Sequence, residues 1–223
     1  MRLSGLAGLL SLPLGVAGVI VDEMWRMPGT AANASEIAGF VDAHRSALLI
    51  AGMLTAAGVA LWLLFGVGVW VWMRETGGGD GFLSTCFVVG LVSFVTLLFA
   101  GFTSFLVLVY RAPEPSDPRL LYDLAFALLA MSGIPTALAL GAYAAHVLSD
   151  RRLPAWSAWI AIAAALANLA LLASLVLRSG FFSLEGGVII AIPGTLFVWI
   201  LAMSIVLLRA GLDPAQRPRP ALD

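Results

Sequence analysis

Side chains able to do chemistry are scarce in this chain, and their spacing limits what they can do. Its 223 residues include two histidines, one cysteine and 13 carboxylates. His44 and His146 offer the imidazoles of a haem site, which would require both rings to meet at one iron. Asp22, Glu23, Asp42, His44 and Asp123 offer the carboxylate and imidazole donors that divalent metals accept. Neither His-x-x-Glu nor His-Glu-x-x-His occurs, so spacing predicts no metal. These five residues are expected as an outer polar rim, against the plainer alternative that charges simply flank apolar runs. Cys86 has no disulfide partner in the chain and is expected to pack as a small hydrophobe. The Gly77-Gly78-Gly79-Asp80-Gly81 stretch lacks the preceding strand and following Lys-Ser/Thr of a phosphate loop, and reads as a flexible turn. No nucleophile stands in a recognisable relation to a base. No reaction is therefore predicted, and no cofactor.

The uncharged candidates are more pointed. Proline removes an amide donor and clashes with the carbonyl four residues back. Ser132-Gly133-Ile134-Pro135 and Ile192-Pro193-Gly194-Thr195 therefore each predict a sharp break, and Pro13 with Gly15 predicts a kink or packing groove. Asn168, an amide deep in an apolar run, predicts an interhelical hydrogen-bond clamp or a ligand contact. Ser132, Pro135, Asn168, Pro193 and Thr195 form the candidate ligand-binding set of a hydrophobic pocket at the kinks; kinks that serve packing alone are the alternative. Broken helices in matching positions of two halves point to a transporter-type site. Here the halves share little beyond Ser11-Leu12-Pro13 and Ser132-Gly133-Ile134-Pro135.

The elements that must position these residues are written in the charge pattern. The chain is 61% hydrophobic and 11% charged, with a mean hydropathy of +1.01; a soluble domain is nearer 45–50% apolar. Charge-free runs cover 3–21, 46–73, 81–110, 124–145, 153–177 and 186–208, each framed by charged or titratable residues. About 20 apolar residues span a bilayer core of roughly 30 Å. The expected fold is thus all-α: a polytopic membrane bundle of six transmembrane helices over residues 1–210, with a disordered tail at 211–223. A net charge of −1 recommends no nucleic acid partner.

The first run reads as a retained helix and not a signal peptide, since Ala32-Asn33-Ala34 lies too far beyond it for cleavage. Seven flanking arginines against five favour cytoplasmic termini. Residues 34–40 predict a short interfacial helix with a serine cap. Trp70, Trp72, Trp156 and Trp159 are expected at the headgroup level. The alanine-rich fifth run is expected to lie inside the bundle. All twelve basic residues are arginine, which, with the heavy Ala, Gly, Leu and Val usage, indicates a GC-rich bacterial source.

The segment Arg151-Arg152-Leu153-Pro154-Ala155-Trp156-Ser157-Ala158-Trp159 resembles the bacterial six-helix membrane proteins of domain-of-unknown-function family 4386. The Arg2-Leu3-Ser4-Gly5-Leu6 opening, the long first outer loop and the total length share that likeness. It implies a six-helix fold in the inner membrane and lends no chemistry. Members carry an Arg and a Glu within the third span, and this chain has neither there.

Three function classes follow. The first is a non-enzymatic multi-pass inner-membrane protein holding a lipid or other apolar small molecule between kinked helices. The second is a substrate-capture subunit of a small-molecule importer, closed by the first outer loop. The third is an accessory subunit with a membrane-protein partner or a second copy of itself, docking on the small-residue face of span five.

Overall fold

Every apolar run becomes helix, as it must where lipid offers a bare backbone no hydrogen-bonding partner. The computed structural model of the protein describes residues 1–21, 26–29, 31–76, 81–112, 117–150 and 153–210. Among them eight α-helices form: α1 (Arg2–Val21), α2 (Ala34–Ala43), α3 (Arg45–Thr76), α4 (Phe82–Arg111), α5 (Pro118–Met131), α6 (Gly133–Asp150), α7 (Ala155–Ala170) and α8 (Val188–Ala210). A 3-10 turn at Leu171–Leu175 follows α7. No strand occurs among the described residues. With α5 and α6 counted as one span, six spans are long and apolar enough to cross a membrane. The fold is the expected all-α membrane bundle of six spans.

The spans close into a ring in chain order: α1 packs on α3, α3 on α4, α4 on α5 and α6, α6 on α7, α7 on α8, and α8 back on α1. Glycines set the closest approaches. A Cβ on Gly5 would strike Ser204 O and the Leu208 side chain, and one on Gly15 would press on the Phe197 ring. The pairing of Gly5 with Ser204 and Leu208, and of Gly15 with Phe197, makes α1 and α8 antiparallel. The start of α1 and the end of α8 therefore share one end of the bundle, the terminus end, and α2 lies at the other.

The buried face of α1 is Gly5, Ala7, Gly8, Ser11, Gly15 and Gly18, so the predicted packing groove is present. The helix runs through Pro13 unbroken, and α8 runs through Pro193 unbroken. The sharp break expected at 192–195 is therefore absent: one lost hydrogen bond does not end a helix whose other backbone groups have no alternative partner in lipid. The break at Ser132 is real. There Gly133, a poor helix former, and Pro135 act together, and Ser132 turns between α5 and α6 with its N–H shared between Leu128 O and Leu129 O.

Two other expectations are corrected. The fifth span does not lie inside the bundle: Trp159 is 61% and Leu166 63% exposed. Only its Ser157, Ala158, Ala161, Ala164, Ala165 and Asn168 face is buried, against α6 and α8. That small-residue face is thus already covered within the chain and is closed to a partner. The short helix expected from residue 34 forms, but Asn33 caps it, not a serine. Asn33 Oδ1 accepts from the N–H groups of Ser35 and Glu36 at 3.0 Å, and Glu36 Oε2 accepts from the Asn33 N–H at 3.0 Å. Buried Ile37 and Val41 then pin α2 to a cluster with Leu48, Leu108, Val109 and Tyr122, and Tyr122 donates to Pro28 O at 2.7 Å. The tail at 211–223, most of the 77–81 turn and the Arg151-Arg152 pair lie outside the described residues.

Candidate functional site

A closed ring of helices has an axis, and what fills the axis differs between its two halves. Towards the terminus end it is packed with aromatic rings. Trp199 meets Phe65 edge-on at 5.6 Å and Tyr143 at 5.2 Å. Tyr143 donates to Ser157 Oγ at 2.9 Å. At mid-depth Trp62 stacks on Phe94 at 5.6 Å and meets the edge of Phe197 at 5.7 Å. Its indole N–H donates to Ser11 Oγ at 2.9 Å, and that hydroxyl donates onward to Gly8 O at 2.7 Å.

Above this floor, towards α2, lies a cavity of about 290 Å³. All six spans contribute to its wall, among them Val16 and Ile20 of α1, Thr55, Gly58 and Trp62 of α3, and Phe94, Leu98 and Phe102 of α4. Leu129 and Ser132 come from the broken span, Asn168 and Leu171 from the end of α7, and Pro193, Gly194 and Phe197 from α8. A side cavity of about 90 Å³ shares Thr55, Leu98, Phe102 and Leu129 with it and reaches Met27 and Phe126.

Two interrupted spans meet at this cavity. Just after Asn168 the α-helix gives way to the 3-10 turn, and just before Gly133 the α5–α6 span is broken. A Cβ on Gly133 would collide with Asn168 O, so glycine alone allows the two backbones this contact. Asn168 is 3% exposed. Its Nδ2 donates to Ala164 O at 2.8 Å, one turn back in its own helix, so it is not the interhelical clamp expected. Its Oδ1 has no hydrogen bond among the described residues. Ser132 Oγ is occupied, donating to Leu129 O at 2.6 Å.

The structure thus gathers Ser132, Asn168 and Pro193 at one cavity, with Pro135 and Thr195 outside its lining. Pro135 faces α4, where its carbonyl sits 2.7 Å from where a Cβ on Gly90 would stand. Thr195 Oγ1 turns back to Ile192 O at 2.7 Å. Thr96 and Thr103 likewise bond their own helix, whereas Ser104 reaches across to Leu121 O at 2.9 Å and ties α4 to α5. The spans' composition left Thr55 and Trp62 unremarked and gave Ser11 no part in a site. A signal existed for Trp62, which lies too deep for the headgroup layer and so needs a buried partner for its N–H.

The polar rim is dispersed. His44 stacks on Phe40 at 4.4 Å and its Nδ1–H donates to Phe40 O at 2.8 Å. Asp123 pairs with Arg119 at 3.7 Å on the surface, and Asp42 is exposed. Asp22 and Glu23 lie outside the described residues. No group of three or more His, Cys, Asp or Glu side chains able to hold a metal forms among the described residues. His146 sits at the terminus end, 2.9 Å from Thr76 Oγ1 and edge-on to Trp72, so the two imidazoles occupy opposite ends of the bundle. The Trp70 ring carries the Arg74 guanidinium 5.1 Å above it. The chain matches no known family model, no curated protein and no solved structure.

Proposed function

We propose that this is a non-enzymatic, multi-pass protein of a bacterial inner membrane that holds a lipid or other apolar small molecule in the cavity on the axis of its six spans. One observation carries the function: the ring is filled with aromatic side chains in one half and open in the other, inside walls that are almost wholly apolar. Empty apolar space of this size forfeits dispersion contacts on every wall, and a ligand restores them. The volume is near the lower end of ordinary small-molecule sites, about 300–1,000 Å³. The likeness to the six-helix family named above is part of the same proposal and adds no chemistry to it.

The test is native mass spectrometry of protein taken from membranes in mild detergent, with and without Gly194→Leu. A Cβ on Gly194 meets nothing within 4 Å, and the residue is exposed where it lines the cavity, so leucine adds bulk at the cavity's mouth without a clash. Wild type is expected to carry a stoichiometric apolar passenger, and the variant to lose most of it while keeping its helical content by circular dichroism. Wild type that carries no passenger, or a variant that retains it in full, refutes the function.

The importer subunit is the second reading, favoured by one observation. Met27, in the first outer loop, lines the side cavity, and the carbonyl of adjacent Pro28 is held by Tyr122. Uptake that depends on a co-expressed energising module supports it.

A further inference from the structure

We infer that the ligand is an uncharged amphiphile with a single hydrogen-bond donor, of the long-chain alcohol type. Its hydroxyl meets Asn168 Oδ1, and its chain leaves the protein sideways between α1 and α8. This rests on the function proposed above and names the ligand class of that same cavity.

The polar atoms of the wall define the head. Asn168 is buried, its donor is committed to Ala164 O, and its acceptor is left without a partner among the described residues. Its oxygen is not itself sealed off but keeps access to the cavity, so a ligand that fills the cavity and expels water must bring a donor to it or leave it unpaired at a cost. The hydroxyls of Ser11 and Ser132 already donate, to Gly8 O and Leu129 O. Thr55 Oγ1, across the cavity on α3, makes no hydrogen bond among the described residues. The wall therefore asks a ligand for a donor more than for an acceptor. No charged side chain lines the cavity, so a phosphate, carboxylate or ammonium head would be stripped of water with nothing to neutralise it.

The shape defines the tail. An apolar cavity of about 150 Å³ takes one benzene, so 290 Å³ encloses roughly a dozen non-hydrogen atoms by the same measure. A longer chain must leave. Val16 and Ile20 line the cavity yet are 46% and 58% exposed, and Gly194 opposite them on α8 is exposed as well. Nearer the terminus end the same two helices touch at Gly5 and Gly15. The gap thus opens towards the α2 end, along the last turns of α1.

The experiment uses the full chain in detergent, with 1-dodecanol, dodecane and dodecanoate as probes and bound stoichiometry read by native mass spectrometry. One net hydrogen bond predicts that wild type binds dodecanol about tenfold more tightly than dodecane, with dodecanoate weakest. In Asn168→Leu the alcohol and the alkane are expected to bind equally, and continued dodecane binding shows the cavity intact. Wild type that binds the alkane or the carboxylate as well as the alcohol overturns the inference without any variant. An Asn168→Leu protein that keeps the alcohol preference also overturns it. Both outcomes leave the apolar-ligand function standing, whereas wild type that takes up none of the three probes removes that function too.

Discussion

Gly133 carries more of the site's geometry than any polar residue does. It lets the start of α6 lie against the Asn168 carbonyl, where a methyl group would coincide with Asn168 O and stand 3.0 Å from its carbon. Both neighbours are backbone, so neither can swing aside as a side chain would. Gly133→Ala is expected to push α6 from α7 and cost about 1–3 kcal/mol by overpacking. A chain of this size loses about 2–4 °C of melting temperature per kcal/mol. Thermal unfolding followed by tryptophan fluorescence in detergent reads this, and a Gly133→Ala protein as stable as wild type shows that the contact is slack. Asn168 and Ser132 were legible in the sequence because polar residues are conspicuous in apolar runs. Gly133 was legible only as a helix breaker: that its missing Cβ matters depends on which helix lies opposite, and one strand of sequence does not contain that.

Elements were legible where one local rule decides them and misread where neighbours decide. Six charge-free runs became six spans, and the Gly-Pro pair in the fourth became a break. The third proline, Pro193, was assigned the same power and lacks it, because α8 is sustained on either side by a ladder that lipid leaves no reason to open. At α2 the cap was sought at a serine, while Asn33, three residues before Glu36, satisfies both halves of a capping box. Removing an N-cap amide costs about 1 kcal/mol. A helix of ten residues is marginal by itself, so α2 depends on this cap and on buried Ile37 and Val41. Asn33→Ala is expected to raise hydrogen-exchange rates of the α2 amides about fivefold and to leave α3 unchanged. Unchanged exchange in α2 means that tertiary packing alone holds the helix.

At the scale of the whole molecule, what the sequence could not show is that the six spans close on themselves. Hydropathy reports that a helix faces oil on one side, but not which helices share the other. Closure is carried by glycine and alanine faces, above all that of α1 on α3 and α8, and such faces have no direction that composition reveals. Once closed, the ring fixes topology. Antiparallel α1 and α8 put the start of α1 and the end of α8 at one end, while α2 and the start of α3 mark the other. From the arginine balance we expect that shared end in the cytoplasm. Reporter fusions at residue 1 and after residue 223 should therefore give the same, cytoplasmic, signal. In a Cys86→Ala background, a membrane-impermeant thiol reagent applied to intact cells should label Asp42→Cys, in the last turn of α2, and spare Glu75→Cys, at the far end of α3; both positions are exposed. The reverse labelling inverts the orientation while keeping the ring. Labelling of both sites is incompatible with α3 as a span, and termini in different compartments with α1 and α8 as antiparallel neighbours; either outcome removes a cavity walled by all six spans.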